Sequence, residues 1–216
     1  MQTRTDTEQT MGARRVAAGL ALTAVLLGCA MTASAGKPRD AGSTLPPDAG
    51  GFQLTEKVHI PADVRADYDN AVRLLEAKQY DQGIALLLKV TQKAPNATAA
   101  YVDLGIAYGK NGDLDKALSS LKHAVDLNPR QLVAYNELGI IYRRKGDYAA
   151  ARESYERALA VFPGFHYARL NLAIVCDLYL ADLTCARDNY AAYQQVVPDD
   201  KQVAKWIADV NARTKP

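Results

Sequence analysis

Three prolines, Pro95, Pro129 and Pro163, stand 34 residues apart, and the residues between them recur at fixed offsets. In 34-residue windows starting at Thr98 and Leu132, position 4 is Tyr101/Tyr135, position 7 Leu104/Leu138, position 8 Gly105/Gly139 and position 11 Tyr108/Tyr142. Positions 20, 24, 27 and 32 hold Ala117/Ala151, Leu121/Tyr155, Ala124/Ala158 and Pro129/Pro163. A chain with such a period is built from a repeated supersecondary unit rather than around one irregular core.

The pattern has a physical reading. Tyr101, Leu104 and Tyr108 recur at i, i+3 and i+7, one stripe of a helix, and Leu114, Leu118, Leu121 and Val125 form the stripe of a second. Asn111-Gly112-Asp113 and Lys145-Gly146-Asp147 separate the two stripes, glycine supplying a left-handed turn residue and aspartate an N-cap. Asn128-Pro129 and Phe162-Pro163 end the second helix, because proline disfavours helical geometry in the residue before it. Closely crossing helices need missing side chains, so Gly105 is expected against Ala117, and Gly139 against Ala151.

This arrangement of large and small residues resembles the tetratricopeptide repeat family, a 34-residue helix-turn-helix unit. The resemblance implies an all-α, right-handed superhelical solenoid of about four units, at 64–97, 98–131, 132–165 and 166–198. In the first window, Ala71, Leu74, Gly83, Leu87, Val90 and Pro95 keep the pattern, but Asp67 and Asn70 replace large residues. In the fourth, Arg169 and Cys176 replace aromatics and Pro198 arrives one residue late, which places an extra residue between the second helix and its proline. Asp199 and Asp200 then cap a last helix to about Ala212, within a C-terminal segment 199–216 that covers the end of the solenoid at 62–198, Trp206 partly buried.

The beginning of the chain reads differently. Arg14-Arg15 precede an apolar run from Val16 to Leu27, too short for the ~20 residues of a membrane-spanning helix but suited to a signal-peptide core. It ends in Leu26-Leu27-Gly28-Cys29, which resembles the processing site of bacterial lipoproteins. That resemblance implies a signal peptide at 1–28, with Met11 a tidier start than Met1, and a diacylglycerol plus N-acyl lipid on Cys29. Ala30 after the cysteine implies the outer membrane, facing the periplasm. Residues 29–61, rich in proline and glycine and without helical period, read as a flexible tether reaching roughly 100 Å when extended. Phe52, Leu54, Val58 and Ile60 near its end are candidates for lying against the first unit.

With 26 Lys and Arg against 24 Asp and Glu, the chain has no broad field favouring nucleic acid. Cys176 and Cys185 remain as a possible disulfide in an oxidising compartment or, alternatively, as two small buried thiols. No second cysteine pair or histidine stands at metal-ligand spacing, so no metal is expected. His59, His123 and His166 are isolated, and each reads as solvated or merely structural. Arg143-Arg144-Lys145 closes a helix, where positive charge suits the helix dipole. No nucleophile elbow, zinc-protease motif or phosphate loop is present, so the chain reads as neither an enzyme nor a binder of cofactors or small-molecule substrates.

In the family, the first helices line a concave groove for peptides, chiefly through positions 2, 5, 9 and 12. The resemblance therefore implies a partner-binding groove of Val102, Ile106, Val133, Asn136, Ile140, Arg143, Tyr167, Leu170, Ile174 and Asp177, with Asn171 beside it. Val102, Ile106 and Ile140 stand where the family's carboxylate clamp requires lysine or asparagine, so an apolar or amphipathic segment is the expected occupant. The function implied is a membrane-anchored scaffold in an envelope assembly: a pilus or secretin, a cell-wall enzyme complex or a TonB-type system. A self-assembling envelope element, or a thiol-disulfide enzyme using Cys176 and Cys185, are the alternatives.

Overall fold

The computed structural model describes residues 43–44, 55–56 and 61–214. The segment 1–28 read as a signal peptide, Cys29, His59 and the apolar residues Phe52, Leu54, Val58 and Ile60 lie outside the described residues. In the stretch 29–61 that the sequence suggested as a tether, strand β1 (Ser43–Thr44) pairs antiparallel with β2 (Thr55–Glu56), Ser43 opposite Glu56. The sequence reading anticipated no pairing there, although threonine favours extended backbone.

The rest of the described chain is helical. Units one to four are the pairs α1 (Ala62–Glu76) and α2 (Tyr80–Lys93), α3 (Thr98–Asn111) and α4 (Leu114–Leu127), α5 (Leu132–Lys145) and α6 (Tyr148–Val161), and α7 (His166–Leu178) and α8 (Leu183–Val196). A single helix, α9 (Lys201–Arg213), follows. Each helix packs on its neighbours in sequence, and α1, α3, α5 and α7 also touch one another in turn. The first helices thus form a continuous layer on the tighter side of a helical repeat superhelix, and the second helices an outer layer.

Local chemistry sets the helix boundaries. Gly112 (φ 92°) and Gly146 (φ 82°) take the left-handed conformation after α3 and α5, and the next amides, of Asp113 and Asp147, bond back to the Tyr108 and Tyr142 carbonyls at 2.9 Å. This closes the helix ends in Schellman fashion. Asp113, Asp147, Asp182 and Asp200 then cap α4, α6, α8 and α9 by accepting backbone N–H bonds, for example from Lys116 at 3.1 Å and Ala150 at 3.0 Å.

Two expectations about packing are corrected. The glycines at position 8 do not face alanine: a Cβ on Gly105 would stand 2.4 Å from Leu121 Cγ, and one on Gly139 2.4 Å from Tyr155 Cε1. Each glycine is the seat for the large position-24 side chain of the partner helix, and Leu121 and Tyr155 are completely buried there. The extra residue of the fourth unit also lies elsewhere. Pro198 follows α8 at the same interval as Pro163 follows α6, whereas the turn Tyr179–Asp182 between α7 and α8 is longer than Gly146–Asp147. In register, Ala186 and not Cys185 therefore matches Ala151, and both alanines are fully buried. Trp206 and His166 are buried as well, at 4% and 1% exposure, the histidine packed on Tyr167 and Tyr193.

Candidate functional site

The inner layer carries a ladder of contacts between successive first helices. The Tyr68 hydroxyl donates to Asp103 at 2.6 Å, and the Asn171 amide to the Asn136 carbonyl at 2.9 Å, both across 35 residues. These are rungs from position 5 of one unit to position 6 of the next. A parallel set joins position 12 to position 13: Arg144 donates to the Gly109 carbonyl, and Arg213 pairs with Asp177, which also accepts from Tyr190. Arg213 belongs to α9, so this helix occupies the place that a fifth unit's first helix would take. A third set ties α2 to α3 through Asn111 and Asp81 (2.8 Å), and α4 to α5 through Lys145 and Asp115. Arg144 and Lys145 are therefore spent on stacking.

The rungs correct the composition expected for the groove. Position 5 is covered by the following helix, and Val102, Asn136 and Leu170 are each only 5% exposed; Ile174 is 3% exposed and Asp177 is buried too. What remains half-exposed on the inner layer is Ile106, Val133, Ile140, Arg143, Tyr167 and Asn171, together with Glu137, which the sequence reading passed over. Burial pushes the Glu137 carboxyl up to about 7, against the lowering pull of Lys110 and of the hydrogen bond from Asn136 at 3.3 Å. The inner surface is thus mixed rather than an apolar stripe. The signal missed in the sequence was the pairing of position 5 of one unit with position 6 of the next, as in Tyr68 with Asp103 and Asn136 with Asn171.

The cysteines sit across the long turn of unit four. Cys176 and Cys185 are disulfide-bonded, their Cα atoms 5.9 Å apart, with Cys176 completely buried. The bond joins α7 to the first turn of α8, Cys176 standing where units two and three carry Tyr108 and Tyr142. Asp182 brings a third ligand-type atom to within 4.8 Å of both sulfurs, but its carboxylate caps α8 and pairs with Arg152 at 3.0 Å. The Cys185 N–H and then Arg152 hold it below the usual carboxylate range. All three groups are committed to fastening this hairpin.

The outer layer offers shallower relief. Tyr101 stacks edge-on against the exposed His123 at 4.3 Å in a cleft of about 440 Å³, and the equivalent Tyr135 and Arg157 border another of about 320 Å³. Both clefts are by-products of the repeat, lying where consecutive units meet.

Comparison with known proteins finds relatives for part of the chain and for its fold. Residues 97–164 match the tetratricopeptide repeat family model, and the described helices form a solenoid of that type. The chain is 38% identical over 68 residues to anaphase-promoting complex subunit 3 of Dictyostelium discoideum, a match spanning 32% of this chain and 7% of that protein. Among solved structures it is similar to the thermophilic TPR protein TTC0263 of Thermus thermophilus (25% identity, TM-score 0.60, 70% of this chain and 83% of that one). It is likewise similar to MamA (23%, TM-score 0.61, 68% and 80%). The first TPR of Spaghetti (RPAP3), bound to the HSP90 peptide SRMEEVD, aligns at 22% identity and TM-score 0.53 over 57% of this chain and 98% of that one.

Proposed function

We propose that this chain is a scaffold that holds a protein partner along its inner helix layer, tethered to a bacterial envelope membrane by acyl chains on Cys29. The observation that carries the reading is the uninterrupted inner layer, whose half-exposed Ile106, Ile140, Arg143 and Tyr167 come from three consecutive units and so offer one extended contact surface. The RPAP3 repeat domain, similar in fold and bound to an HSP90 peptide, supports a peptide as the occupant. Neither a cofactor nor a catalytic group enters this reading.

The anchoring half rests on the sequence around Cys29 and is supported by the Cys176–Cys185 disulfide, which belongs to oxidising compartments such as the periplasm. Among the described residues no helix is long and apolar enough to cross a membrane. In this reading attachment rests on the lipid alone, and the assembly served is a pilus or secretin, a cell-wall enzyme complex or a TonB-type system. Metabolic labelling with an alkyne fatty acid tests the anchor: wild type takes up label and sediments with outer membranes, and Cys29→Ala loses both. Co-purification from detergent-solubilised membranes tests the surface. Ile106→Asp with Ile140→Asp is expected to lose the partner while retaining helicity; unchanged capture removes the inner layer from the proposal.

A further inference from the structure

The four joints between first helices differ in how the position-5 and position-6 rung is satisfied. At the first joint a tyrosine hydroxyl meets a carboxylate, Tyr68 to Asp103, and at the third two amides meet, Asn171 to Asn136. At the last joint, where the longer turn shifts the register by one residue, Leu170 falls opposite Trp206, and both are buried in one apolar cluster. Each of these pairs is chemically matched. The second joint is not: the spacing that pairs Tyr68 with Asp103 places the buried Val102 opposite the half-buried Glu137.

A carboxylate opposite an isopropyl group gains no donor from its rung, while it still loses part of its hydration. Asn136 supplies one long hydrogen bond from the preceding position, and Lys110, one helix away, is exposed. The raised affinity of Glu137 for a proton is the electrostatic expression of that shortage. Glu137 shares the partly exposed inner layer with Ile106, Ile140 and Asn171, in the third of the four units. A group costly to the fold and placed at the centre of a contact surface is where binding energy is available.

We propose that Glu137 is the recognition residue for a lysine or arginine side chain of the bound peptide, which completes the rung that Val102 leaves open, while Ile106 and Ile140 receive the apolar residues flanking it. A cation meets the requirement best, because it supplies both the missing donors and the countercharge. The inference rests on the scaffold reading above but is separable from it.

The test uses the full-length protein in detergent and a display library of randomised nonapeptides, selected in parallel on wild type, Glu137→Gln, Glu137→Leu and, as a control far from the surface, Asp126→Asn. Wild type and Asp126→Asn are expected to enrich peptides with Lys or Arg at one position between apolar residues. Both Glu137 variants should lose that enrichment and bind a selected peptide about tenfold or more weakly. Both should also be at least as heat-stable as wild type at neutral pH. Glu137→Leu is expected to recreate the apolar match of Leu170 with Trp206. Enriched peptides without a basic position, or enrichment retained by the Glu137 variants, overturns the assignment of Glu137 and leaves the scaffold standing. Failure to select any peptide overturns both. Loss of binding accompanied by a fall in the melting midpoint of both variants assigns Glu137 a structural role and also overturns the proposal.

Discussion

The inner hairpins and the outer ones pass through the left-handed region of backbone space with different residues. In units two and three the left-handed residue is Gly112 or Gly146, whereas unit one uses Lys78 (φ 60°) and unit four Ala181 (φ 54°). A side chain in that region costs about 1 to 2 kcal/mol, so the outer turns are intrinsically less favourable. Unit four adds a covalent bond across its turn, and unit one has none. The contrast teaches that the two central hairpins rely on backbone geometry and on glycine seats for large side chains, whereas the last full hairpin is held by chemistry its neighbours do not need.

Substitutions separate the two modes. The largest effect is expected from Gly139→Leu, since the Tyr155 ring that fills the glycine seat is itself fully buried and has nowhere to retreat. A loss of about 3 kcal/mol, read by urea denaturation, is expected; a loss near zero would mean that the central hairpins do not depend on that seat. Next comes Cys176→Ser with Cys185→Ser. Opening a loop of this length costs about 2 to 3 kcal/mol in the chain-entropy account. Hydrogen exchange should show the loosening concentrated in α7, α8 and α9; protection falling equally in α3 and α4 would contradict a local fastening.

Glu137 sharpens the comparison from the opposite direction. Its folded-state affinity for protons lies above the ordinary glutamate value of 4.5, so its contribution to stability is fully present below about 4.5 and is lost as the pH rises through about 7. Glu137→Gln should therefore stabilise the chain at pH 8 and not at pH 4. Because the side chain is only half-buried, about 1 to 2 kcal/mol is expected rather than the full value of such a shift. Thermal melts at the two pH values provide the check. The smallest pair is reciprocal: Gly146→Ala should lose about 1 kcal/mol, and Ala181→Gly should gain somewhat less, because glycine also loosens the unfolded chain. Equal and opposite shifts in melting midpoint would show that the turn residue alone distinguishes the hairpins.

What could be read from the sequence follows from which interactions are local. Helix starts at Thr98, Leu132 and His166, the caps at Asp113 and Asp147 and the turns at Gly112 and Gly146 are decided within a few residues, and the chain displays them. The groove was not legible in the same way. Whether Val102 or Asn136 is surface or core depends on a residue 35 positions further on, and no period within one window reports it. The placement of the extra residue failed for a related reason. Pro198 marks only that a shift has occurred, and whether the shift lies before or after α8 is settled by which small side chain, Cys185 or Ala186, fits beneath α7.

Arg213 meets Asp177 across 36 residues in the same manner as Arg144 meets Gly109 across 35. Alignment between neighbours is thus enforced by lateral bonds and not by counting along the polymer. A connector can lengthen without the next layer losing its place, so insertions at these turns need not break the stack, and the loops become the natural ground on which copies of such a protein can diverge while their inner face stays in step.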